Sequence, residues 1–179
     1  PGVTGVLPIA LEDSTRVVQT LLKAGKEYVC VMHLHRLVDE LKLLSTIKKF
    51  VGNISQKPPI KSAVKRRIRQ RRIYYLQVLE IDDKDVLFIV GCEAGTYIRK
   101  LVHDIGVKLG IGAHMAELRR TKAGPFTENS LTTLQELTDA VYYYKEGNSK
   151  LLKRILQPVE SAVAHLPKVW VLDSAVNSL

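Results

Sequence analysis

Apolar positions recur along this chain with two periods, and the switches between them divide it into elements. Asp13 or Ser14 can cap a helix carrying Val17, Val18, Leu21 and Leu22 ahead of Gly25. Residues 28–35 alternate, with Tyr28, Cys30, Met32 and Leu34 on one side and Val29, Val31, His33 and His35 on the other, which predicts a strand. Residues 40–50 return to helical spacing through Leu44 and Ile47, a stripe that Val51 continues before Gly52. Pro58-Pro59 then opens a loop. Residues 73–81 and 85–92 read as the strands of a hairpin turned by Asp82-Asp83-Lys84. Ile98, Leu101, Val102, Ile105 and Leu109 stripe a helix that ends at Gly110, and residues 112–119 read as a short strand. Residues 131–144 and 149–156 predict two more helices, the first presenting Leu134, Leu137, Val141 and Tyr144 on one face. After Pro158 and Pro167, Val169-Trp170-Val171 reads as the start of another strand. Short strands and helices in this order, with antiparallel hairpins and no internal repeat, predict an α+β fold rather than a doubly wound parallel sheet.

The 179 residues suffice for one domain with a sizeable core, or for one domain and the beginning of another. Lysine and arginine number 27 against 18 acids, giving a net charge of +9 and a sequence pI near 9.6. A balance this basic points to a polyanion, nucleic acid being the commonest; the bland alternative is a basic surface that serves solubility. The charge is concentrated. Residues 61–72 hold Lys61, Lys65, Arg66, Arg67, Arg69, Arg71 and Arg72 with no acid among them. Placed after Pro58-Pro59, the run reads as a contact to a nucleic-acid backbone rather than as a solvated face. Arg119, Arg120 and Lys122 extend the same track.

Cys30 and Cys92 lie within apolar strands and read as free core thiols of a reducing compartment. No apolar run approaches the roughly 20 residues that cross a bilayer, and the opening lacks the pattern of a secretory leader. An intracellular protein with no membrane partner is therefore expected. His33 and His35 share a strand face, but no further histidine or cysteine is placed to complete a four-ligand site, so no metal is expected. His103, His114 and His165 are scattered.

Five ordered blocks carry a resemblance: Pro1-Gly2-Val3-Thr4-Gly5-Val6-Leu7-Pro8, Gly25-Lys26-Glu27-Tyr28, Gln56-Lys57-Pro58-Pro59-Ile60-Lys61-Ser62-Ala63-Val64-Lys65, Gly95-Thr96-Tyr97-Ile98-Arg99 and Glu117-Leu118-Arg119-Arg120. In this order they resemble the dyskerin branch of the TruB family of RNA pseudouridine synthases. The resemblance spans nearly the whole chain. Residues 115–124 and Asp173-Ser174-Ala175-Val176 are more similar to the archaeal and eukaryotic guide-dependent enzymes than to the bacterial stand-alone ones. It implies a mixed, mainly antiparallel sheet flanked by helices, with the catalytic domain over residues 1–165 and the beginning of a PUA RNA-binding domain over residues 166–179. The implied activity is isomerisation of uridine to pseudouridine in rRNA and tRNA, directed by a guide RNA within a box H/ACA ribonucleoprotein. Substrate RNA, a zinc-ribbon-like scaffold protein and a glycine-arginine-type protein are the implied partners. No metal or organic cofactor is implied, and the location would be cytoplasmic in an archaeon or nucleolar in a eukaryote.

In the resembling family the nucleophilic aspartate stands directly before the proline of Asp-Pro-x-Val-Thr-Gly. The residue preceding Pro1 is accordingly expected to be that aspartate, the lack of an initiator methionine agrees with missing upstream sequence, and the 179 residues alone are expected to be inactive. Arg99 is the implied partner of the carboxylate, since an opposite charge within a few ångströms lowers a carboxylate pKa by roughly 1 to 3 units. The alternative is an exposed arginine at a helix start, a position whose dipole disfavours cations. Tyr28 is implied to stack on the flipped base and to have a part in removing the C5 proton. Tyr97 is implied to line the same pocket, and Leu118 to form an apolar wall, although Leu118 also suits a plain core position. Arg36 departs from the pattern, related chains tending to glycine there, which puts the local turn in doubt. Two other readings stay open: a stand-alone enzyme acting on the tRNA T-loop, and a non-catalytic RNA-binding scaffold.

Overall fold

The computed structural model describes residues 4–59 and 65–172. In chain order the strands are β1 (Thr4–Gly5), β2 (Lys26–Leu34), β3 (Gly52–Gln56), β4 (Arg69–Asp82), β5 (Asp85–Cys92), β6 (Ala113–Ala123) and β7 (Phe126–Thr127). The helices are α1 (Val18–Lys23), which continues a 3₁₀ turn over Glu12–Val17, then α2 (Glu40–Lys48), α3 (Ile98–Leu109), α4 (Leu134–Lys145) and α5 (Lys150–Ile155). The strands form one sheet in the order β1-β6-β2-β5-β4-β3, with β7 also on β6. Only the β1–β6 pair is parallel among the described strands. The fold is thus α+β with a mainly antiparallel sheet, as the sequence pattern implies.

One face of the sheet carries the core. The alternation of β2 buries Cys30, Met32 and Leu34, and Val86, Phe88 and Val90 do the same on β5. The stripes of α2 and α3 close over this face, joining Leu43, Ile47, Leu101, Val102 and Ile105 to a single cluster. Fully burying side chains such as Phe88 and Met32, both 0 % exposed, contributes about 1.5–3 kcal/mol each. The opposite face, through Val29, Val31, Leu87 and Ile89, is only half-buried.

Several elements differ from the sequence expectations, each for a physical reason. The strand expected over residues 112–119 runs to Ala123 because β2 offers partners along its whole length. β3 was not expected; by pairing with Arg69–Ile73 it draws part of the basic run into β4. The helix over residues 40–50 stops at Lys48 and buries Leu43 and Ile47, while Val51 is exposed. The apolar stripe proposed for α4 is not buried: Leu134, Val141 and Tyr144 are exposed, and Ala140 is its buried residue. A capping box starts that helix instead, Thr133 and Glu136 exchanging hydrogen bonds. Val169, Trp170 and Val171 are exposed and lie in no strand. Among the described residues no helix is long and apolar enough to cross a membrane.

Candidate active site and RNA interface

Three of the five motif blocks meet on β1, β6 and β2, while the block that begins at Gln56 leaves from β3 at the far edge of the sheet. Thr4 and Gly5 pair with Arg119 and Arg120, and the Val6 N–H donates to the Arg120 carbonyl at 2.8 Å. Gly5 adopts φ +112°, and a Cβ there would sit 2.1 Å from the Arg120 carbonyl oxygen, so only glycine lets this segment lie so close. Arg120 is opposite Tyr28 on β2, and Leu118 is opposite Cys30. Tyr28, Met115 and Leu118 all pack against the core cluster. Leu118 is thus partly buried against the core, on the strand next to the one that carries Tyr28.

Burial pushes the Tyr28 phenol up from its ordinary value, Cys92 adds to the rise, and the adjacent, hydrogen-bonded Arg120 opposes it. Desolvation, then the Arg120 charge, lowers the Lys26 ammonium; its Nζ donates to the Leu21 and Ala24 carbonyls at 2.8 and 2.6 Å. Arg120 itself donates from Nε to the Val6 carbonyl at 2.6 Å. It is thus half-buried and tied to β1 and Tyr28, unlike a free surface arginine.

The start of α3 brings in Tyr97 and Arg99. Tyr97 is the N-cap residue, and its backbone is held by the buried Gln56 amide at the end of β3. Arg99 is exposed in the first turn and makes no ion pair with a described residue. It lines an open cleft of about 440 Å³ with Pro59, Lys100, His103, His114 and Met115. Lys100 is paired to Asp104 one turn along. The cleft is thus bounded by α3 and the start of β6, with Arg99 and Met115 on its walls.

The basic run divides in two. Lys65, Arg66 and Arg67 are exposed outside regular structure, with Arg66 Nε donating to the Pro58 carbonyl at 3.3 Å. Arg69, Arg71 and Arg72 belong to β4, where Arg69 and Arg71 alternate in register with buried Ile73. Arg71 reaches Glu93 at 3.5 Å with its side chain 19 % exposed and lies against Gly95. Lys61 lies outside the described residues. Arg119 pairs with Glu128 on the other sheet face, and Lys122 is opposite Glu27 and Thr127.

The histidines are less scattered than their spacing suggests. His33 Nδ1 lies 2.7 Å from Asp85, His35 Nε2 lies 3.0 Å from His114 Nδ1, and the His33 and His114 rings are 5.1 Å apart. Among the described residues no group of histidine, cysteine, aspartate and glutamate is arranged to hold a metal. Cys30 and Cys92 are free and buried.

The family described as Pus10, C-terminal matches residues 6–108, and the one described as tRNA pseudouridylate synthase B C-terminal domain matches residues 99–164. Together the two matches run from residue 6 to residue 164, through β2–β7, the cleft and α4–α5. A probable tRNA pseudouridine synthase B of Pyrococcus horikoshii is 61 % identical over all of this chain and 54 % of its own length. The corresponding protein of Methanopyrus kandleri is 56 % identical over all of this chain and 53 % of its own. A crystal structure of a Cbf5-Nop10-Gar1 complex superposes with TM-score 0.90 at 58 % identity, covering 97 % of this chain and 54 % of that one. A structure of an H/ACA RNP bound to a substrate RNA containing 2'-deoxyuridine gives TM-score 0.85 at 55 % identity, over 97 % of this chain and 52 % of that one. The model described as Pus10, C-terminal covers more than half of the chain, which therefore belongs to that family, and over its whole length the chain is similar to the archaeal relatives named probable tRNA pseudouridine synthase B. It spans about half the length of the curated relatives it matches, 54 % for the Pyrococcus horikoshii protein.

Proposed function

We propose that this chain is the larger part of the catalytic domain of an RNA pseudouridine synthase that acts on rRNA and tRNA under guide-RNA direction in a cytoplasmic H/ACA ribonucleoprotein. One observation carries the reading: Thr4-Gly5, Tyr28 and Leu118-Arg119-Arg120, three separate motif blocks, meet on adjacent strands. The reaction breaks the N1–C1′ bond of a uridine, turns the base, forms the C5–C1′ bond, and moves a proton from C5 to N1. It asks for a carboxylate, a dry pocket and a surface that holds the base, with no organic cofactor or metal.

In this reading the aspartate precedes Pro1 and Arg99 keeps it ionised and oriented. Tyr28 stacks on the extruded base. The same tyrosine has a part in removing the C5 proton. Tyr97 and Leu118 close the pocket. Lys61, Lys65, Arg66, Arg67, Arg69, Arg71 and Arg72 meet phosphates, joined by Arg119, Arg120 and Lys122. Residues from 166 onward lead into an RNA-binding PUA domain, and a zinc-ribbon-like protein and a glycine-arginine-type protein complete the particle. The name of the relatives, tRNA pseudouridine synthase B, favours one second reading, guide-independent action on tRNA.

The test is nucleoside analysis of rRNA and tRNA fragments incubated with the full-length protein, with and without guide RNA and partner proteins. Guide-dependent pseudouridine is the expected result. Product on tRNA alone moves the reading to the stand-alone enzyme, and no product under any condition removes it.

A further inference from the structure

Gln56 is one of two polar side chains buried among the described residues, 2 % exposed, and its amide matches both backbone groups of a single distant residue. Nε2 donates to the Tyr97 carbonyl at 3.1 Å, and Oε1 accepts from the Tyr97 N–H at 3.0 Å. The same carbonyl also accepts the first helical bond, from the Leu101 N–H at 3.0 Å. Helix α3 needs such help. Its N-cap is Tyr97 with no side-chain cap bond, and no acid stands in its first turn. Arg99 in that turn has the sign the helix dipole disfavours. Serine or aspartate at the N-cap would supply the missing bond, but only by displacing Tyr97. Gln56 acts differently, satisfying the N–H and carbonyl of the N-cap residue itself from β3, where register with Arg69 fixes its own backbone.

We infer that Gln56 is a positioning residue: it sets the backbone of Tyr97, and with it the directions in which Tyr97 and Arg99 leave the start of α3. What Tyr97 and Arg99 then do rests on the proposed uridine isomerisation; the geometry does not.

The test uses the full-length protein in its RNA-bound particle. Gln56→Met keeps the length of the side chain and removes both hydrogen bonds. It should lower kcat about 10- to 100-fold, the scale of an ångström-sized misplacement, and leave the KM for RNA within about twofold. Gln56→Glu keeps the acceptor for the Tyr97 N–H and recovers a donor only when protonated, which burial favours. Its rate relative to the unsubstituted protein should climb as pH falls from about 8 to about 6, a signature general loosening would not give. Hydrogen exchange supplies a readout free of activity: the Tyr97 amide should exchange faster in Gln56→Met while Val86 and Phe88 keep their protection.

A normal kcat in Gln56→Met, a deficit in Gln56→Glu that ignores pH, or a loss of protection spread evenly through β5 overturns the inference. If the unsubstituted particle forms no pseudouridine, the proposed function falls, and exchange at Tyr97 decides the positioning role by itself.

Discussion

Tyr75 donates its hydroxyl to Glu27 from across the sheet, its ring lying over Gly91 of the strand between them. The other carboxylate oxygen of Glu27 accepts from Thr121 at 2.7 Å. One side chain of the Lys26-Glu27-Tyr28 block thereby ties β4 to β6, on the face opposite Cys30. The strand that presents Tyr28 is held on both sides at the point where its register with β6 shifts. The extra residue at that shift is Thr121 of β6, and its hydrogen bond to Glu27 helps to hold the irregularity in one arrangement.

Gly91→Ala should therefore displace the Tyr75 ring, because its Cβ would sit 2.4 Å from it. Tyr75 is exposed and its ring can swing aside, so the cost is mainly that of the lost hydrogen bond to Glu27, about 1 kcal/mol. Tyr75→Phe, which loses only the hydrogen bond, should cost about 1 kcal/mol. Chemical denaturation of the single variants and of Gly91→Ala combined with Tyr75→Ala checks the link: the pair should cost less than the sum of its parts. Additive losses would mean that the ring and the glycine are independent.

Alkaline solution should weaken the fold through its thiols. Burial pushes Cys30 from 9.0 up to about 12 and Cys92 from 9.0 up to about 11. Burial, then the hydrogen bond to Glu27, pushes Tyr75 from 10.0 up to about 12. As pH rises the unfolded chain releases these protons first. Their contribution is full below about pH 9 and lost progressively toward about pH 12. Tyr75 is 43 % exposed, so water screens its share and the cysteines lead. Lys26, lowered by burial, acts the other way. Denaturant midpoints should fall between about pH 8 and about pH 10.5, and Cys30→Ala should flatten that slope. An unchanged slope in Cys30→Ala would remove the thiol from the account.

The core strands were legible because β2 and β5 alternate between a buried face and a half-buried one, and period two is a local signal. β3 was not, because Gly52-Asn53-Ile54-Ser55-Gln56 has one large apolar residue and its strand character comes from pairing with β4. The capping of Tyr97 by Gln56 spans 41 positions and leaves no trace in local spacing. His114 joining His33 and His35 likewise depends on the register of β6 against β2. The apolar side of α4 misled for the opposite reason, a real helical period whose residues stay exposed. The candidate site was readable as motif blocks, but their meeting at β1, β2 and β6 needed the sheet order.

The two halves of the basic run should behave differently. Replacing Lys65, Arg66 or Arg67 by alanine should weaken RNA binding across sequences and reduce the salt slope by about one per lost phosphate contact, with no change in stability. Arg71→Ala should also lower stability by up to about 1 kcal/mol, since the partly buried Arg71 side chain reaches Glu93. Titrations at several salt concentrations beside thermal melts separate the two. If the salt slope is unmoved by the Lys65, Arg66 and Arg67 variants, these residues are a solvated surface.

Arg99→Ala, in the full-length protein, should nearly abolish turnover while leaving most RNA affinity in place. Arg99 is exposed at the mouth of the cleft and makes no ion pair with a described residue, in a helical turn where a cation is disfavoured. A carboxylate beside it would offset that cost. Removing the guanidinium leaves the nucleophile desolvated without its counter-charge, which raises the carboxylate pKa and shifts the acid limb of the rate profile toward higher pH. Arg99→Lys keeps the charge but loses the planar fork that orients a carboxylate. It should restore the position of that limb and only part of the rate. Phosphate contacts elsewhere supply most of the binding, so the dissociation constant should change far less than kcat. Single-turnover rates over a range of pH, with saturating enzyme, make the comparison. Severe loss of RNA affinity in Arg99→Ala with a normal single-turnover rate would make Arg99 a phosphate contact and end its catalytic assignment.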